Sequence, residues 1–318
     1  MRLIPTCIPI NFCSFLKINH QIPIFYSNMT SACLRHLVAG LLLIAGVSAP
    51  LVTASPTDPA LGIRQTTPAD YWKPTAGTTW QIQLNSALTS TSYDAQVYDI
   101  DMEENTAATI QTLHNLGRKV ICYFSAGSYE SVRPDASQFL AADKGKKMDG
   151  WPEYWIDTRS PNVRRIMTAR IDAAKAKGCD GIDPDNVDGY QNDSGFPLTT
   201  ATAIDYMKFL ADAAHSRGMS IGLKNSLDIV NQTLGYMDWQ VNEECQQYFI
   251  DGDETQTECV KLKPYIAANK PVFHIEYPDG APGNVDPAVR KEICENPDVK
   301  GFSTLLKDMD LTAWVDAC

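Results

Sequence analysis

Positive charge is scarce in this chain. Its 318 residues carry 27 Lys and Arg against 38 Asp and Glu, a formal net charge of −11. Phosphate binding needs a basic surface, so nucleic acid is excluded as a partner. An acidic surface instead draws cationic ligands toward it. Phosphate-cradling glycines are missing as well. The first strand candidate runs into Asn85-Ser86-Ala87, and neither G-x-G-x-x-G nor a P-loop occurs. There is no G-x-S-x-G elbow for a serine nucleophile. The nine cysteines form no C-x-x-C and no Cys/His zinc spacing. No cofactor and no metal are therefore expected.

An uninterrupted apolar run of membrane-spanning length is also lacking. Leu37 to Val47 is apolar, follows Arg35 and His36, and has the length of a signal-peptide core. The stretch Ala39 to Ala54 is broken by Pro50 and falls short of about 20 apolar residues, which argues against a stable span. Cleavage after Ala54 or Ala49 is expected, with Met29 as the conventional start and residues 1–28 as an upstream extension. Without cleavage the segment would act as a type II anchor. Residues 1–54 thus read as extension plus signal peptide or anchor, and 55–77, rich in Pro, Thr and Ala, as a linker. Residues 78–318 form one domain, expected as a monomer, secreted or at the cell surface. Six cysteines follow the cleavage site, an even number that suggests disulfides among 15 possible connectivities. Cys245–Cys259 and Cys294–Cys318 are the expected bridges. Cys122 and Cys179 each abut a strand and are either paired or buried thiols. Asn192-Asp-Ser and Asn231-Gln-Thr are glycosylation acceptors.

From residue 79 onward strands and helices alternate. Eight strand candidates stand out: Thr79–Leu84, Gln96–Asp101, Lys119–Ser125, Gly181–Asp185, Ser220–Asn225, Trp239–Glu243, Val272–Tyr277 and Gly301–Leu306. Helices are expected over Asn105–Leu116, Pro161–Lys177, Thr202–Arg217, Thr257–Ala268, Pro287–Glu295 and Leu311–Ala317. Ser160 followed by Pro161 marks a helix start, and Gly178 its stop. Residues Ser128–Arg159 interrupt the third unit. Alternation of this kind implies a parallel sheet, and eight units in about 240 residues match a single closed (β/α)₈ barrel of the TIM type. A doubly wound open sheet is the runner-up, weakened by the absent glycine-rich turn.

Two strand ends carry the chemistry. Asp183-Pro184-Asp185-Asn186 closes the fourth strand and Asn242-Glu243-Glu244 the sixth. Side chains alternate along a strand, so Asp183 and Asp185 share the barrel interior, with Asp185 at the mouth and Asp183 one layer deeper. Glu243 shares the face of Val241 and points to the same mouth, and is preferred over Glu244. Two carboxyls facing one pocket are what glycosidic cleavage requires. Around them lie Asp99 and Asp101, Ser125, Lys224 and Asn225, His274, Glu276 and Tyr277. Trp80, Tyr98, Tyr123, Trp155 and Tyr190 are candidates for stacking on sugar faces, although aromatics near strands are more often core. An EF-hand is excluded, because Val187 and Ser194 stand where it needs oxygen ligands. Asp180, Asp183 and Asp185 resemble the D-x-x-D-x-D-x-E signature of family 18 chitinases, but its catalytic Glu falls on Val187, so that chemistry is excluded.

The combination of Trp80-Gln81-Ile82-Gln83-Leu84, Tyr98-Asp99-Ile100-Asp101, Cys122 to Gly127, Asp180 to Asp188, Gly222-Leu223-Lys224-Asn225 and Asn242 to Cys245 resembles glycoside hydrolase family 114, the endo-α-1,4-polygalactosaminidases of fungal type. The resemblance spans Trp80 to Leu306. It implies a (β/α)₈ barrel that cleaves α-1,4-linked galactosamine polymers, with Asp185 and Glu243 as the catalytic pair. The expected mechanism is retaining, with Asp185 as nucleophile and Glu243 as acid/base. Asp99, Asp101 and Asp183 are expected to meet substrate ammonium groups, with Tyr123, Lys224, Asn225, Trp155 and Glu276 also binding substrate. Two alternatives remain at this point: a non-catalytic barrel that only holds cationic polysaccharide, and a hydrolase using Ser125 or Ser128 with His274.

Overall fold

The computed structural model describes residues 70–250 and 253–318, and the extension, the signal or anchor segment and most of the linker lie outside them. Eight parallel strands form the frame: β1 (Trp80–Gln83), β2 (Val97–Asp101), β3 (Lys119–Ser125), β4 (Gly181–Asp185), β5 (Ser220–Lys224), β6 (Trp239–Glu243), β7 (Val272–Glu276) and β8 (Ser303–Leu306). They pair in chain order, and a short β9 (Asp316–Ala317) adds antiparallel to β8. The sheet curls until β8 meets β1. That seam is joined by side chains: Trp80 Nε1 donates to Ser303 O at 2.8 Å and Ser303 Oγ to Thr78 O at 2.7 Å. Lys307, fully buried just past β8, donates to Gln81 Oε1, Thr312 O and Trp314 O. Burial pushes this ammonium down to about 8.

Period-two alternation divides the strands between two cores. Trp80, Ile82, Val97, Ile121, Trp239, Val241, Phe273, Ile275 and Leu305 fill the barrel. Their neighbours in sequence, such as Ile100, Val120 and Ile182, face outward against the helices. Trp239 fits only because β4 and β5 present glycine to it: a Cβ on Gly222 would lie 2.1 Å from Trp239 Nε1, and one on Gly181 2.4 Å from its ring. Gly222→Ala is expected to cost about 1–3 kcal/mol by overpacking, read as a lower midpoint in urea at unchanged slope.

The outer layer is α1 (Ala107–Asn115), α2 (Pro161–Lys177), α3 (Thr200–Ser216), α4 (Val230–Thr233), α5 (Lys263–Ala267) and α6 (Pro287–Glu295). The cap at α2 is as the sequence predicts: Ser160 Oγ accepts from Val163 N, and Gly178 takes φ +100°. Two expected helices differ. Residues 257–268 yield only a 3₁₀ turn and α5, because Pro264 lacks an N–H and fits only a helix start. Residues 311–317 form no helix, because Leu311 is left-handed and the carbonyls of Thr312 and Trp314 are turned to Lys307. The insertion after β3 folds into a three-stranded antiparallel sheet, Ser128–Glu130, Lys144–Lys147 and Glu153–Ile156. Buried Arg170 of α2 ties it down, gripping Asp135 with two bonds of 2.8 Å and donating to Ser125 O.

All three disulfides are present: Cys122–Cys179, Cys245–Cys259 and Cys294–Cys318. The first resolves the open pair in favour of bonding. Residues at the end of the expected linker pack on the barrel, with Tyr71 stacked on His215 and Trp72 beside Trp239.

Candidate active site

Three neighbouring strands end in the same way. Asp185, Lys224 and Glu243 are the last residues of β4, β5 and β6, and the next residue in each case is left-handed: Asn186 at φ +60°, Asn225 at +47° and Glu244 at +61°. The reversal turns the chain away and leaves each last side chain standing at the barrel mouth. Asn tolerates this conformation, whereas Glu244 holds it at a cost of about 1–2 kcal/mol. Gly127 permits a further close approach, since a Cβ there would strike Asn186 O at 1.6 Å. The Ala126 and Gly127 N–H groups both donate to Asp185 O. These contacts explain why Ser125-Ala126-Gly127 and Asp185-Asn186 occur together.

Lys224 stands between the two acids. Its Nζ is 3.0 Å from Asp185 Oδ1 and 2.6 Å from Glu243 Oε2. Tyr123 Oη donates to Asp185 Oδ2 at 2.7 Å, and Tyr277 Oη donates to Glu243 Oε1. Asn225 Oδ1 accepts from Glu243 N at 3.0 Å, fixing the end of β6. Burial by itself would raise the Asp185 acid. The Lys224 charge and the Tyr123 and Lys224 hydrogen bonds outweigh burial and hold it below the usual carboxylate range. Burial likewise works against the Lys224 ammonium, but the charges of Asp185 and Glu243 drive its pKa well up. Asp185 is thus a standing anion and Lys224 a standing cation. A cavity of about 690 Å³ opens over the pair, walled by Asp101, Tyr123, Glu153, Tyr277 and Trp151 among others.

Beneath this layer lies a second one. Asp99 and Asp183 are 0% and 1% exposed, and none of their four carboxyl oxygens has a donor among the described residues. Two buried carboxyls in mutual contact are stable only when they share a proton. Burial first, then the charges of Asp185 and Glu243 against the opposing charge of Lys224, push Asp183 up to about 7, and Asp99 is raised well above the usual carboxylate range by burial and by Asp183. A folded-state value above the unfolded 3.8 means that the folded protein binds the extra proton between about 4 and about 7. That contribution to stability is full below 3.8 and is lost as pH rises through about 7. Melting temperatures of Asp183→Asn are therefore expected to fall less than those of the wild type between pH 4.5 and 7.5.

The expected site residues separate into four placements. Asp101, Tyr123, Asp183, Asp185, Lys224, Asn225 and Glu243 line the central cavity. Asp99 shares the barrel interior but lies below the cavity floor. Glu276 faces the other way: Phe273 and Ile275 of β7 point inward, so parity sends His274 and Glu276 outward. There Glu276 bonds His274 Nε2 at 2.9 Å and Gln246 N at 3.0 Å, beside a separate depression along α6. Trp155, 7% exposed, packs over Gly189 in the wall of a side cavity. Asp101 is held by Arg133 at 2.8 Å. Sequence reasoning missed Trp151, Tyr277 as partner of Glu243, Glu153 and Arg133. Only Tyr277 had a readable signal, the inward parity of residues 273 and 275.

The serine alternative fails on geometry. Ser125 bonds Ser128, and Ser128 bonds Glu153, while His274 is buried outside the barrel with Thr304 and Glu276. Cys245, Cys259 and His274 lie close together, but both sulfurs belong to one disulfide and offer no thiolate.

A parallel barrel with two acids facing one cavity at the carboxyl ends of its strands is the arrangement of a glycoside hydrolase. Comparison with known proteins makes this specific: residues 63–318 match glycoside-hydrolase family GH114, and the chain belongs to that family. The crystal structure of Aspergillus fumigatus Ega3 in complex with galactosamine is 49% identical, covers 78% of this chain and 98% of its own, and superposes with a TM-score of 0.74. The glycoside hydrolase domain of PelA from Pseudomonas aeruginosa, 14% identical, shares the fold over 75% of this chain and 98% of its own at a TM-score of 0.57. An uncharacterized protein of Deinococcus radiodurans is 26% identical over 314 residues, covering 85% of this chain and 94% of its own. The protein is therefore an enzyme, a glycoside hydrolase, and the non-catalytic barrel reading falls away. Three disulfides fit an oxidising, extracellular setting. No helix among the described residues is long and apolar enough to cross a membrane.

Proposed function

We propose that this enzyme cleaves α-1,4-linked, partly deacetylated galactosamine polymers internally, by a retaining mechanism with Asp185 as nucleophile and Glu243 as acid/base. The observation that carries the mechanism is the shared contact with Lys224. One nitrogen within 3.0 Å of Asp185 and 2.6 Å of Glu243 brings the nearest carboxylate oxygens too close together to reach the about 6.5 Å that inversion needs for its water. Asp185 is the better nucleophile because Lys224 and Tyr123 keep it ionised and aimed. Glu243 is the more solvent-reached of the two, 23% exposed at its side chain against 14%, as suits a group that must exchange protons with a departing sugar and then with water. In the free site Glu243 leans on Lys224 and Tyr277. To act as acid Glu243 enters the step protonated: the glycosidic oxygen of a bound substrate would take over one of these positions and receive the carboxyl proton, and the carboxylate left behind would take a proton from the water that releases the glycosyl-enzyme.

The substrate class is supported by the galactosamine bound to the 49%-identical relative and by the acid-rich cavity wall. The test is incubation of the mature domain, from about Ser55, with partly deacetylated galactosaminogalactan, followed by mass spectrometry. Galactosamine oligomers of several lengths are expected, with retained anomeric configuration by NMR at early times. Monosaccharide alone would overturn internal cleavage, and inverted product would overturn the mechanism.

A further inference from the structure

The central cavity does not end at the catalytic pair. It shares Met148, Trp151, Asn186 and Asp188 with a smaller cavity of about 270 Å³ on the side of the insertion. It shares Asp188, Asn225, Glu243 and Glu244 with a third of about 510 Å³ beside β6. The three form one groove, with exposed aromatics toward its ends, Trp151 at 53% and Tyr248 at 57%. Asp188 lines all three.

The carboxylates along this groove differ in what already satisfies them. Asp185 and Glu243 share Lys224, and Asp101 and Glu130 share Arg133. Glu153 accepts from Ser128 Oγ and Asn186 Nδ2, and Glu244 accepts from Gln247 Nε2. Among the described residues Asp188 forms no ion pair, and the one side-chain donor to its carboxylate is the Asn192 amide at 3.3 Å. A partly buried carboxylate with no ion-pair partner among the described residues, at the junction of a groove that must hold a polymer, is suited to accept from a cationic group of the ligand.

We infer that Asp188 is the residue that reads the amino group of the sugar, accepting a charge-assisted hydrogen bond from a 2-ammonium that an N-acetyl group, with a single neutral N–H, does not match. The inference rests on the galactosamine reading of the preceding section and names the part of the site that discriminates. Burial first, then the charge of Asp185, raise the Asp188 acid against the opposing charge of Lys224, which makes no ion pair with it, and an incoming ammonium would reverse the rise. An acetamide has no charge to offer, and its methyl carbon would sit against an unsatisfied carboxylate.

The experiment compares kcat/KM on fully deacetylated and fully N-acetylated α-1,4-galactosamine oligomers for wild type, Asp188→Asn and Asp188→Glu. The wild type is expected to favour the free amine. Asp188→Asn should lose about 10- to 100-fold on the amine substrate, mostly through KM, so that the ratio between substrates collapses. Asp188→Glu should recover part of that ratio, which a merely misfolded or loosened loop would not do. A wild type without preference, or an Asp188→Asn enzyme that keeps it, overturns the assignment of Asp188 and leaves the glycan reading standing. A wild type that cleaves neither oligomer nor polymer overturns the glycan reading and this inference with it.

Discussion

Replacing Asp185 by Asn is expected to lower kcat by about 10⁴-fold or more while leaving the protein folded. The two side chains are nearly isosteric, and the amide oxygen still accepts from Tyr123. What is lost is the negative charge on the atom that must bond the anomeric carbon. In the wild type that charge survives burial only because of Lys224 and Tyr123. The variant therefore retains the binding groove and loses the covalent step. The check is a rate on polymer together with a urea melt, and a stable variant with more than a tenth of wild-type turnover would rule Asp185 out as nucleophile. Azide offers an independent reading through Asp185→Gly, where a small anion can enter the space left behind. A glycosyl azide of inverted configuration is expected, from one direct displacement.

Glu243→Gln is expected to cost about 10²- to 10⁴-fold, the usual share of general acid–base catalysis. The loss should depend on the leaving group in a way that Asp185→Asn does not. An activated aryl leaving group needs no proton, so the first step should proceed and the glycosyl-enzyme should accumulate, visible as an added mass on the intact protein. Azide should then rescue turnover and give a product of retained configuration, because it attacks the intermediate and not the substrate. Equal losses on natural and activated substrates would place Glu243 outside proton transfer. Lys224 and Tyr277 would still touch the variant side chain, so a large structural effect is not expected.

The likeness of the two variants in the folded state, set against their different chemistry, follows from how the site is built. Each acid is the last residue of a strand and is followed by a left-handed residue, so the side chain's position is set by backbone that the substitution leaves alone. Lys224 is the exception. It couples the two acids across three strands, and its removal would leave two partly buried carboxylates facing each other without a counter-ion.

Much of this was legible in the residue order. The eight barrel strands are visible as short apolar runs between helix caps, because a parallel strand packed on both faces has to be apolar over most of its length. Parity along β4 and β6 placed Asp185 and Glu243 at the mouth, because alternation is a local property of extended backbone. Parity along β7 was equally available and would have turned Glu276 outward and Tyr277 inward. The expected helices over 257–268 and 311–317 failed where Pro264 and the Lys307 hydrogen bonds overrode a helical pattern.

The sequence by itself determined the barrel, the placement of Asp185 and Glu243 at its mouth and the acidic character of the site, since each follows from periodicity or from side-chain type at a strand end. Tertiary structure alone decided who compensates whom. Lys224 reaches both acids, Asp99 and Asp183 meet below them, Arg133 neutralises Asp101 and Glu130, and Asp188 forms no ion pair among the described residues. Such pairings join residues many positions apart on strands and loops brought together by closure of the sheet. The energy of a charge depends on its neighbours in space and on its burial, and neither quantity is written in the order of the residues.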